Sequence, residues 1–164
     1  MQARPLTGNR YVIDINAMAI YLVENHPGHK YISNVMDYAV ENGIDLVIFD
    51  FLPFRVYWIL TSKWGIDKRE AREAIESFIN LPVVKLVSLE KKDILVAFKK
   101  ADELSHDVYD VTYIVLAMKT KAAGIITTDT DFEKLCKATK LQYINPVPNE
   151  ILKKFQDTNI GNNI

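Results

Sequence analysis

Short apolar runs alternate with stretches of helical spacing along this chain, and most runs stop at a polar or charged residue. Tyr11-Val12-Ile13 ends at Asp14 and reads as a buried strand, after which Ala17 to Val23 takes helical spacing. His26-Pro27-Gly28 breaks that helix, and a second one is expected to run to about Asn42 and stop at Gly43. Leu46-Val47-Ile48-Phe49 fits either a second strand or the lead-in to a helix carrying Pro53 in its first turn. Gly65 ends that helix, and Asp67-Lys68-Arg69-Glu70 has the spacing of a capping box for the next, which closes near Asn80-Leu81-Pro82. The β-branched run Val83 to Val87 predicts a strand, with Ser88 capping a helix through Glu103. A helix from near His106 is expected to end at Gly124 as its C-cap. Ile125-Ile126-Thr127 then reads as a strand, Asp131 to Thr139 as a helix, Gln142 to Ile144 as a last strand, and Pro146 and Pro148 as the lead into a short terminal helix.

Strands that are apolar at every position and alternate with helices predict an α/β fold, a short, mainly parallel sheet covered by helices on both faces. With 164 residues and no shift of composition along the chain, one domain over 10–156 is expected, preceded by an N-terminal segment (1–9) and followed by a frayed polar tail (157–164). The single cysteine, Cys136, excludes an intrachain disulfide and a CxxC zinc site, and its helical setting predicts a buried thiol. No apolar run approaches the roughly 20 residues of a membrane span, and Met1 to Arg10 lacks the apolar core of a signal peptide, so a cytoplasmic location is expected. The net charge of −1 does not mark a nucleic-acid binder by bulk electrostatics, but a carboxylate-rich metal site carries negative charge that its cations offset.

The candidate chemistry lies in the acids. In parallel sheets ligands gather beyond the carboxyl ends of the strands, and both Asp14 and Asp129 fall where an apolar run stops. Asp110 lies early in a helix, three residues after Asp107 and on the same face. Carboxylates sharing a pocket at neutral pH must hold protons or bind a cation, and hard oxygen ligands suit Mg²⁺ or Mn²⁺. Such ions activate water for attack on phosphorus and stabilise the departing oxyanion, as in metal-dependent nucleases. Each aspartate alone fits a turn or cap equally well. Asp107 has the place of an N-cap, and so does Asp131, which ranks as support rather than ligand. His26, His29 and His106 lack metal-ligand spacing and read as surface or cap residues, and no glycine-rich phosphate loop is present.

Three segments together resemble the PIN domain, especially the VapC-like toxins of prokaryotic toxin–antitoxin pairs. Tyr-Val-Ile-Asp-Ile-Asn-Ala (11–17) is similar to the family's opening strand, with Asp14 as first acid and Asn16 two residues on. Tyr-Asp-Val-Thr-Tyr-Ile-Val-Leu-Ala (109–117) resembles the helix of the third acid, Asp110, and Ile-Ile-Thr-Thr-Asp-Thr-Asp-Phe (125–132) the last motif, with Thr127 and Asp129 as its Thr-x-Asp pair. The resemblance implies a PIN-like three-layer sandwich over roughly residues 10 to 150. It further implies a Mg²⁺- or Mn²⁺-dependent endoribonuclease with Asp14, Asp110 and Asp129 on the metal, and Asn16, Asp107, Thr127 and Asp131 in support. An RNA substrate, an antitoxin partner and a homodimer are implied in the same way.

The chain departs from the family at its second acid. The family's pattern is Glu-Val-Tyr-Trp-x-Leu, whereas this chain reads Arg55-Val56-Tyr57-Trp58-Ile59-Leu60. Asp50, five residues earlier, would point about 140° away on a helix and is a poor substitute. Arg55 could pair with Asp14 or Asp110 and take over part of a cation's role, point to solvent, or hold a substrate phosphate. It makes a catalytically degenerate PIN domain, binding RNA or protein, the main alternative. A receiver-like domain also places acids at strand ends, but the segment 127–132 argues against it.

Overall fold

Runs that are apolar at every position must be covered on both faces, and the computed structural model, which describes residues 6–157, shows how this is met. Five strands, β1 (Arg10–Ile13), β2 (Asp45–Phe49), β3 (Val84–Val87), β4 (Gly124–Ile126) and β5 (Gln142–Ile144), form one sheet in the order β3-β2-β1-β4-β5. Every pairing is parallel. The helices are α1 (Ile15–Tyr21), α2 (His29–Glu41), α3 (Leu52–Trp58), α4 (Lys68–Ile79), α5 (Lys91–Leu104), α6 (Val108–Thr120), α7 (Phe132–Thr139) and α8 (Asn149–Asp157). A π turn, Ile59–Lys63, prolongs α3. The predicted three-layer α/β architecture is therefore present, and Leu46 to Phe49 resolves as strand.

Strand alternation divides the core in two. Tyr11, Ile13, Leu46, Ile48 and Ile126 pack with apolar side chains of α1 to α4, such as Met18, Ile32, Leu52 and Phe78. Val12, Val47 and Ile125 point the other way and meet Ala97 of α5, Ile114 of α6 and Leu135 of α7. Cys136 lies fully buried in this second layer, and burial pushes its thiol up to about 12. Leu6 is buried, and the Thr7 and Gly8 N–H groups donate to the Tyr11 hydroxyl, which anchors the segment just before β1. The tail from 158 onward lies outside the described residues.

Among the boundaries that differ from the sequence expectation, two have a plain physical cause. The helix after β3 is opened by Glu90 rather than Ser88, because the Glu90 N–H donates to Asp93 Oδ2 at 2.8 Å, and that carboxylate also holds Lys119 Nζ of α6 at 2.7 Å. Asp93 thus serves the helix start and the α5–α6 contact together. Gly124 is not the cap of α6, which ends at Thr120 with Lys121 in the left-handed region. Gly124 opens β4, where a Cβ would lie 2.3 Å from the Gln142 carbonyl oxygen. Glycine is needed there for the close approach of β5 and not for a turn. Gly43 and Gly65, at φ +65 and +69, do follow helix ends as expected.

Candidate active site

The strand order puts the chain's switch point between β1 and β4: connections leave β1 toward β2 and β3, then return to β4 and β5 on the other side. Crevices form where neighbouring crossovers run to opposite faces. Ile13 of β1 stands opposite Ile126 of β4, so the residues that follow, Asp14 and Thr127, emerge side by side. Asp14 caps α1, its Oδ1 accepting from the Ala17 N–H at 2.7 Å, while its Oδ2 accepts from the Thr127 hydroxyl. Thr127 Oγ1 in turn accepts from the Asp129 N–H at 2.9 Å. One buried hydroxyl therefore ties the first acid to the loop of the last.

Asp14, Asn16, Asp107, Asp110 and Asp129 all line one cavity of about 660 Å³. Asp110 and Asp107 enter from the first turn of α6, where Asp107 is also the N-cap, accepting from the Tyr109 N–H at 2.8 Å. Asp131 is exposed and outside the lining; its side chain makes no cap bond, and its N–H donates to Asp129 Oδ1 at 2.9 Å. Its backbone thus orients the Asp129 carboxylate. Thr127 acts from beneath.

The acids affect one another. Burial is the main reason that the Asp14 carboxyl, only 2% exposed, is pushed up to about 7, with Asp129 and Asp110 adding to the rise and the Thr127 and Ala17 hydrogen bonds opposing it. Asp110 is raised to about 6 by burial and then by Asp129, while His106 acts in the opposite direction. Both shifts come first from burial, with neighbouring acids adding to them.

Among the described residues no three His, Cys, Asp or Glu side chains stand in a ready-made metal-binding group. The chemistry of the donor set nevertheless fits a hard divalent cation. The carboxylates are mutually repelling, and each oxygen of Asp14 accepts one hydrogen bond and keeps a second lone pair.

Arg55 lines the same cavity from α3 and is exposed. Among the described residues it forms no ion pair with Asp14 or Asp110, nor with any other acid. Asp50 lies in the turn before α3 and does not reach the cavity. His106, read from sequence as a surface or cap residue, is half-buried with Nδ1 3.5 Å from Asp110 Oδ2. His26 is buried rather than superficial, stacked on Trp64 with Phe155 at its edge, far in role from the acids. Tyr113 went unnoticed in the sequence; it lines the cavity, its hydroxyl accepts from the Ile15 N–H at 3.2 Å, and its ring meets Phe49 and Phe132 edge-on. The available signal was its spacing, three residues after Asp110, as His106 lies four before.

Among curated protein sequences no relative matches the chain. The structure is similar to the crystal structure of VapC20 from Mycobacterium tuberculosis, a sarcin-ricin loop cleaving toxin. That match has a TM-score of 0.61 and 16% identity, and covers 76% of this chain and 94% of the other, so it speaks for the fold. The PIN-domain family model matches residues 11–138, which takes in Asp14, Asp110 and Asp129 together with the sheet edge on which they meet. On that match, the chain belongs to the PIN-domain family.

Proposed function

We propose that the protein is a divalent-metal-dependent endoribonuclease, the toxin of a toxin–antitoxin pair. The observation that carries this reading is the meeting of Asp14, Asp110 and Asp129 in one cavity at the switch point. The likeness to a solved toxin that cleaves the sarcin-ricin loop supports the substrate class. Asp14, Asp110 and Asp129 would hold Mg²⁺ or Mn²⁺, which when bound supplies water activation and neutralises charge on the phosphate. Asn16 and Asp107 line the same space to orient ligand or water, Thr127 fixes the angle between Asp14 and the Asp129 loop, and the Asp131 backbone holds Asp129. Because the carboxyls must lose protons to ligate, metal affinity should rise with pH. An antitoxin partner, a homodimer and a cytoplasmic location belong to the same proposal. Among the described residues, no helix is long and apolar enough to cross a membrane.

Arg55, where the family carries an acid, favours one second reading, a domain that binds RNA or protein without cutting. Incubation of the purified protein with structured and single-stranded RNA in Mg²⁺ or Mn²⁺, beside Asp14→Asn and Arg55→Glu, separates the two. Cleavage that disappears in Asp14→Asn supports the nuclease. A silent native chain that gains cleavage on Arg55→Glu establishes the degenerate reading. Calorimetry that detects no divalent-ion binding removes the metal site.

A further inference from the structure

The cavity contains a second kind of chemistry beside its acids. α3 buries Leu52, Pro53 and Val56, and Phe51 and Arg55, four residues apart along its exposed side, line the cavity. Among the described residues, Arg55 is the only lysine or arginine in the lining, against the four carboxylates of Asp14, Asp107, Asp110 and Asp129. Among the described residues it forms no ion pair with any of them. An unpaired guanidinium facing a cavity is free for an incoming anion, and its forked donors match the oxygens of a phosphodiester.

Two rings frame it. Phe51 is 64% exposed and Tyr109 70%, and both line the cavity, one from the start of α3 and the other from the first turn of α6. Large exposed aromatics beside a lone cation are the means by which proteins hold unpaired bases and their backbone. Phe54 stands behind Phe51, with ring centroids 5.5 Å apart, and limits its freedom.

We propose that Arg55, Phe51 and Tyr109 form a nucleotide subsite in which the guanidinium holds a backbone phosphate beside the one cleaved and the two rings stack on unpaired bases. The assignment rests on reading this cavity as an RNA-cleaving site. Arginine at this position then serves substrate binding in place of metal binding.

The test measures binding apart from cleavage. The full chain carrying Asp129→Asn, to suppress cutting, is titrated against a fluorescein-labelled single-stranded oligoribonucleotide of mixed sequence in Mg²⁺, with and without Arg55→Ala, Arg55→Lys, Phe51→Ala and Tyr109→Ala. Arg55→Ala is expected to weaken binding about tenfold and to flatten the salt dependence by about 0.7 in the log–log slope, one phosphate contact. Arg55→Lys should restore the slope and only part of the affinity, and each ring truncation should cost about five- to tenfold without changing the slope. Fully paired RNA should compete poorly. Unchanged affinity and slope in Arg55→Ala overturns the subsite, as does a rim whose ring truncations dissolve a dimer while RNA binding stays intact. A native chain that binds RNA through Arg55 yet cuts none in Mg²⁺ or Mn²⁺ keeps the subsite and refutes the nuclease. Cutting with the same KM in Arg55→Ala, with unchanged binding, does the reverse.

Discussion

Replacing Asp14 by asparagine should make the metal-free protein more stable while abolishing its proposed activity. The carboxyl is 2% exposed and is lifted from 3.8 to about 7, chiefly by burial and then by Asp129 and Asp110. The unfolded chain releases this proton near pH 4 and the folded chain near pH 7. Between those values the folded state holds more protons, so stability falls as pH rises. At about 1.4 kcal/mol per unit, the ionised carboxylate costs the fold about 4 kcal/mol at pH 8. Asparagine keeps the shape and can still accept from the Ala17 N–H, but its amide meets the Thr127 hydroxyl donor to donor, a loss of about 1 kcal/mol. The net gain at pH 8 is about 3 kcal/mol, which for a chain of this size is about 6–12 °C in Tm. Near pH 5 the two proteins should be close, because most of the penalty has gone. Thermal unfolding in EDTA at pH 5 and pH 8 checks this. A Tm difference that is the same at both values, or an asparagine variant that is less stable at pH 8, refutes the reasoning. Adding Mn²⁺ at pH 8 should raise the Tm of the native chain and leave the variant where it was. The trade of stability for a charged site is a common cost of function.

Thr127→Val keeps the volume of a fully buried side chain but removes both of its hydrogen bonds, leaving Asp14 Oδ2 and the Asp129 N–H unsatisfied. It should cost about 2–3 kcal/mol in urea unfolding. It should also move the pH at which Mn²⁺ binding is half-maximal upward, because this hydrogen bond lowers the Asp14 pKa. Gly124→Ala should lower stability by about 2–3 kcal/mol by forcing β4 and β5 apart, since the obstructing Gln142 oxygen belongs to the backbone and cannot swing away. An alanine variant as stable as the native chain would show that the two strands do not approach as described.

The order of elements and the depth of the central strands β1, β2 and β4 were legible in the sequence because burial on two faces leaves an unbroken apolar run, and a run's end is where a polar side chain can emerge; the edge strands β3 and β5 keep exposed positions such as Lys85 and Gln142. Asp14 and Asp129 could therefore be read as strand-end acids, and Asp110 joined them through its helical spacing and the resemblance to a known family. What the chain order hides is adjacency. Asp14 and Thr127 are 113 residues apart, and only the β3-β2-β1-β4-β5 arrangement makes them neighbours. Periodicity records which face of a strand is buried and says nothing about the strand beside it. Gly124 was misread for the same reason: a glycine after a helix resembles a cap until the neighbouring strand that needs its missing side chain is in place. Arg55 shows the limit most clearly. Its departure from the family pattern is plain in the sequence, but whether it pairs with the acids or stands apart depends on distances in space. The tertiary structure decided that it shares their cavity without forming an ion pair with them, because charges interact through separation and solvent rather than through position along the chain.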